Sequence, residues 1–151
     1  MNTVSGLDSL LQQVPKLYHS FSHTEWVELH PEGKWSRLQI LGHLCDSAIN
    51  NLSRFIRIQH ESQPLDLTSY NQNQWVDAQN YSSADPDEIL NLWVSLNQSV
   101  IRVISTLAPL QLSLVYLLPQ GGTVTLEWLI EDYLEHMKQH LGQIFPDFDF
   151  L

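Results

Sequence analysis

The stretch Thr125–Phe145, TLEWLIEDYLEHMKQHLGQIF, decides how this chain is read. At roughly 100° per residue, Leu126, Ile130, Tyr133, Leu134, Met137, Leu141 and Ile144 line up as one apolar stripe. Glu127, Glu131, Glu135, Lys138 and Gly142 fall mostly opposite, so the stretch is an amphipathic helix with Thr125 as its cap and Phe145-Pro146 as its end. His136 and His140 stand four residues apart, which stacks two imidazoles on one face, near enough to grip a single metal ion. His140 projects into the stripe beside Leu129 and Tyr133, and His136 lies at its edge. Rings leaning toward a core need partners, because an unpaired buried polar group costs about 1–3 kcal/mol. A shared metal supplies them, and so would hydrogen bonds to carbonyls.

Upstream, Ser36 with Gln39 three residues on is a capping box, and it opens a helix that runs to about Gln59. Leu38, Leu41, Leu44, Cys45, Ala48, Ile49, Leu52, Phe55 and Ile56 make its broad apolar face. The other face is a polar ribbon of Gln39, His43, Asp46, Ser47, Asn50, Arg54 and Arg57. Periodicity alone makes that ribbon a solvated surface, unless a loop or another helix covers it and turns it into a cleft. Cys45 sits on the apolar side with no base evident beside it and reads as a core residue.

Two further helices complete the set. Leu7, Leu10, Leu11, Val14, Leu17, Tyr18 and Phe21 mark a first helix over about 5–20, which Pro15 is expected to kink or divide. Ser22 to Glu25 repeats the capping-box pattern. Asp85-Pro86-Asp87-Glu88 starts a third long helix that stops before Pro109. Between them, Glu61 to Ala84 loses its period, carries Tyr70, Trp75 and Tyr81, and could hold a short helix over 71–78. A connection this long is either a pocket wall or a crossover packed down by its aromatics. Residues 110–124 read as a loop with a short extended pair around Gly121-Gly122. The expected architecture is an all-α four-helix bundle, one domain over 1–151, with a long crossover between the second and third long helices.

Composition narrows the chemistry. Seven Lys and Arg against seventeen Asp and Glu give a formal charge of −10, which argues against nucleic-acid and anionic-membrane partners. No apolar run is long enough to span a bilayer and no secretory leader pattern opens the sequence, so a cytoplasmic location is expected. With one cysteine, any metal must be held by histidine and carboxylate. His19, His23, His30 and His60 fall in or beside loops and helix ends and are expected at the surface. His43, on the polar ribbon beside Asp46, is the third ligand candidate. Three histidines from two helices leave coordination positions open, as a catalytic site requires, where bound water is acidified or a bound thiol deprotonated.

Three segments, GKWSRLQILGHLCDSAINNLSRF, SYNQNQW and TLEWLIEDYLEHMKQHLGQI, together resemble the DinB-like superfamily, more narrowly its YfiT-type branch, over about residues 33–144. The most specific parts run from Trp35 to Asp46 and from His136 to Ile144. The resemblance implies a four-helix bundle with a long crossover, frequent homodimers, and a divalent metal, zinc or nickel, on His43, His136 and His140. Relatives of this kind include bacillithiol, mycothiol or glutathione transferases, a maleylpyruvate isomerase, and proteins assigned as metal-dependent hydrolases. Two positions depart from the family pattern. Gln139 stands where many relatives have a second histidine, and Asn71 stands where the Tyr-Asp-x-x-x-Trp pattern has its carboxylate.

The expected function is transfer of a low-molecular-weight thiol to an electrophile through the three-histidine metal. The alternatives are hydrolysis by metal-bound hydroxide and non-catalytic binding of a metal or small ligand. Asp46 is expected to orient an imidazole or a metal-bound water. Asn50 and Arg54 would hold an anionic group of the thiol, with Tyr70 and Trp75 as the apolar wall.

Overall fold

The computed structural model describes residues 2–31 and 33–150. Four long helices, α1 (Asn2–Tyr18), α3 (Arg37–Arg57), α5 (Pro86–Ser105) and α6 (Leu126–Ile144), form the bundle, with α2 (His23–Val27) and α4 (Gln72–Gln79) as short additions. α3 packs against α5 and α6, and α1 packs against the same two. The helices therefore ring the core in the order α1, α5, α3, α6. The crossover joins neighbours, whereas α1 and α3, and likewise α5 and α6, face each other diagonally. Their buried side chains form one apolar cluster that includes Leu7, Trp26, Leu41, Phe55, Trp93, Ile130 and Leu141. None of the described helices is long and apolar enough to cross a membrane.

Local sequence sets the helix ends. At the start of α3 the Ser36 hydroxyl accepts from the Gln39 backbone N–H at 3.1 Å, and the Gln39 side chain accepts from the Ser36 N–H at 2.9 Å. Thr125 caps α6 through the Trp128 N–H at 3.1 Å. Pro15, expected to kink or divide the first helix, leaves α1 undivided. It falls in the last turn, where the hydrogen bond it removes has little helix beyond it to disturb.

Three short strands supplement the helices. β1 (Leu65–Asp66) lies in the crossover and pairs in parallel with β2 (Val115–Leu117), which pairs antiparallel with β3 (Thr123–Thr125). The hairpin turns at Gly121 and Gly122, whose φ of 93° and 83° suit residues without a Cβ. This sheet pins the crossover to the segment that delivers the chain into α6.

The crossover is also seated on α3. Asn80, in the left-handed region at φ 52°, ends α4 and turns the chain so that Tyr81 lies flat on Gly42. A Cβ on Gly42 would fall 2.3 Å from Tyr81 Cδ2, so the close approach requires glycine. Gly42→Ala should destabilise the protein by about 1–3 kcal/mol through overpacking, although alanine is the better helix former by about 1 kcal/mol. Gly142→Ala, with nothing within 4 Å of the added carbon, should be neutral or mildly stabilising. Urea denaturation of the two variants checks this, and an undisturbed Gly42→Ala would refute the seating.

Candidate metal centre

The centre is built where α3 meets α6. Capping at Ser36 fixes the phase of α3, which turns His43 inward until it is fully buried, against the half-exposed His136 and His140 of α6. One nitrogen from each of the three rings lies within 4.8 Å of the others. His136 Nε2 and His140 Nε2 are 3.2 Å apart, close to the ~3.3 Å expected for two imidazole nitrogens bound at ~2.0–2.1 Å in a tetrahedral arrangement. The ring of His43 stands 4.6 Å from that of His140 and 5.6 Å from that of His136, and Trp35 covers it at 5.0 Å.

The electrostatics suit a cation. Both ring nitrogens of His43 are buried and have no partner among the described residues. Burial, reinforced by the neighbouring imidazoles, pushes its pKa down to about 4, so the ring is neutral at pH 7 and keeps a lone pair for a metal. Burial lowers His136 too, with His140 adding to it and Asp132 opposing. His140 Nδ1 lies 3.0 Å from Gln143 Oε1. An amide oxygen there holds the proton on Nδ1 and leaves the Nε2 lone pair turned toward His136. Orphaned nitrogens, a nitrogen-only donor set and a preset tautomer all fit a divalent ion held by these three residues.

The remaining ribbon residues serve other contacts. The covered reading of the ribbon holds near His43: Asp46 is fully buried and Ser47 nearly so. Asp46 Oδ1 accepts from Tyr81 at 2.7 Å and from Gln79 at 3.0 Å, while Oδ2 is buried without a partner among the described residues. Burial raises its pKa, and those two hydrogen bonds work against the rise. Asn50 donates back to the Asp46 carbonyl. Arg54 donates to Asn51 and to the Thr68 carbonyl and lies 5.7 Å from the Tyr70 ring centre. Tyr70 and Trp75 meet edge-on at 5.9 Å. Trp75 lines a cavity of about 410 Å³ along α4 with Gln74, Ala78 and Gln79. A second cavity, about 480 Å³, is lined by His30, Gly33, Lys34, Trp35, Ile40, Asn73 and Gln143, of which Trp35 packs on the His43 ring and Gln143 meets His140. Asn50, Arg54, Tyr70 and Trp75 are not among its lining residues.

A four-helix bundle with a three-histidine centre on two of its helices defines the class. The chain belongs to the DinB superfamily, whose family profile matches residues 7–144. It is 25% identical over 142 residues to a Halalkalibacterium halodurans protein, covering 93% of this chain and 81% of that one. To YfiT of Bacillus subtilis it is 27% identical over 114 residues, 75% of this chain and 64% of YfiT. Both relatives are provisionally named metal-dependent hydrolases. The solved structure of YfiT, noted for an unusual four-helix bundle topology, superimposes with a TM-score of 0.85 at 22% identity over 96% of this chain and 83% of that one. A mycothiol-dependent maleylpyruvate isomerase follows at 0.69 and 16% identity, over 92% of this chain and 57% of the isomerase.

Gln143, Gln79, Tyr81 and Trp35 carry contacts that sequence reasoning did not assign. Gln143 had a signal, three residues past His140 on the same side of the helix. Replacing His43 by leucine should stabilise the metal-free protein by about 1–3 kcal/mol, since it removes orphaned nitrogens, and should abolish zinc binding. Gln143→Leu should weaken zinc binding about 10–100-fold with little change in metal-free stability. Chelator competition and urea melts on the same samples separate the two effects.

Proposed function

We propose that this protein is a metal-dependent enzyme that transfers a low-molecular-weight thiol to an electrophile, with the metal held by His43, His136 and His140. The carrying observation is that three imidazoles converge within 4.8 Å beside a cavity large enough for a small molecule, whose lining residues Trp35 and Gln143 touch His43 and His140. A divalent ion such as zinc or nickel, when bound, acts as a Lewis acid that holds a thiol as its thiolate at neutral pH. His43 stays neutral through burial, Gln143 keeps the His140 proton on Nδ1, and Trp35 shields the inner ring from water. Asp46 anchors the crossover through Gln79 and Tyr81. We assign Asn50, Arg54, Tyr70 and Trp75 to the crossover wall.

Thiol transfer is favoured over hydrolysis by what lines the 480 Å³ cavity. Among the described residues it carries no carboxylate to serve as general base for water, and the nearby Asp46 gives one of its oxygens to the crossover. A thiolate needs no such base. The mycothiol dependence of the structurally similar isomerase agrees with this reading. Hydrolysis is the second reading, favoured by the provisional names of the curated relatives.

The test is turnover by the zinc- or nickel-loaded protein of a chlorinated aromatic electrophile with and without added thiol, beside a panel of esters and amides. Thiol-dependent consumption of the electrophile, lost in His136→Ala, is expected. Thiol-independent ester or amide cleavage would establish hydrolysis instead, and metal binding without either would leave a binding module.

A further inference from the structure

The residues around the 480 Å³ cavity carry information about the ligand it takes. In a chain of net charge −10, the one cation among the described lining residues is Lys34, which shares the lining with the half-buried His30 imidazole and the Asn73 amide. No ion pair to Lys34 occurs among the described residues, whose salt bridges are Arg57–Glu61 and Lys138–Glu135. The other basic side chains near the site are occupied. Arg37 donates to the Ile144 carbonyl and lies over Phe21, and Arg54 is held by Asn51 and Thr68 on the far side of the crossover. The lining is also mixed in character. Trp35 and Ile40 supply apolar wall, Trp35 and Gln143 are the lining residues in contact with the histidines, and Lys34 with Asn73 supplies charge and hydrogen-bond donors.

We infer that this cavity is the thiol subsite and that Lys34 selects thiols bearing a carboxylate, with Asn73 as its hydrogen-bonding companion. The inference rests on the thiol reading above and adds to it a ligand class and a specificity-determining residue. The sulfur would sit toward the histidines and the anionic group toward Lys34, which requires a thiol whose carboxylate is separated from sulfur by at least a short chain. An exposed lysine is screened by water and salt, so its effect is a modest preference and not an absolute requirement.

The test uses 3-mercaptopropionate and its methyl ester, which present the same thiol with and without the charge. Their affinities for the zinc-loaded protein are measured by calorimetry at low and high salt, for the wild type, Lys34→Met and Asn73→Asp. The wild type should prefer the acid by roughly twofold to fivefold, the range for an exposed charge pair. Lys34→Met should erase that preference while leaving ester affinity and zinc affinity unchanged. Asn73→Asp places a carboxylate in the cavity at the second position of α4, where helix stability gains from negative charge, so it should reverse the preference without loss of folding. The preference should shrink with added salt. Equal affinity for acid and ester in the wild type, or a preference that survives Lys34→Met, overturns the inference and leaves the thiol reading standing. Binding of neither compound to the zinc-loaded protein overturns both.

Discussion

Everything in this protein depends on burying a polar strip of α3. His43, Asp46 and Ser47 occupy the face that periodicity would give to solvent, and they are covered from one side by α6 and from the other by the crossover. Covering them has a cost, since two nitrogens of His43 and one oxygen of Asp46 are left without partners among the described residues. A fold that accepts such a cost in its interior gains something elsewhere. Here two of the orphaned atoms belong to a ring that stands among two other imidazoles, so a cation held there would relieve the cost at one His43 nitrogen. Stability and metal binding are thus opposed in the free protein and aligned in the loaded one.

The two sides of the strip are held by different means. On the α6 side, apolar packing through Ile130, Tyr133, Met137 and Leu141 fixes the helix, and the histidines are carried along by its 3.6-residue period. On the crossover side there is no long helix to provide register. Register comes from single contacts: β1 on β2, the left-handed Asn80, Tyr81 on the bare backbone of Gly42, and two hydrogen bonds into one oxygen of Asp46. Because Gly42, under the Tyr81 ring, and Asp46, which accepts from the Tyr81 hydroxyl, lie on either side of His43 along α3, the same few atoms seat the crossover close to the inner imidazole.

This division explains what was legible beforehand. The four long helices follow from apolar spacing and capping residues, which are local and additive, and the histidine pair on α6 follows from its four-residue interval. His43 was legible as a third candidate from its place on the polar ribbon beside Asp46, and the block from Trp35 to Asp46 strengthened it, although periodicity alone gave that face to solvent. The proline in α1 does not divide the helix because it falls in the last turn, so its position relative to the helix end mattered more than its identity. Tyr81 was legible as an aromatic that could pack the crossover down, but its partners Gly42 and Asp46, the role of Gln79 and the pairing of Leu65 with Tyr116 were not. Each depends on residues more than thirty positions apart meeting in space, and an aperiodic segment offers no phase from which to infer the meeting.

The charge distribution completes the physical picture. An acidic chain repels anionic ligands at long range, so any anion that binds must be met by local positive potential. His43 contributes none, because burial keeps it neutral, and burial also lowers the pKa of His136. A bound divalent ion changes this, adding two positive charges to a neutral ligand set in a partly desolvated site, where Coulomb interactions are several times stronger than in water. The same neutral imidazoles that make the free protein costly thereby leave the full charge of the ion available to a ligand, which three carboxylate ligands would have cancelled. A histidine-only set in an otherwise acidic protein is suited to holding an anionic nucleophile.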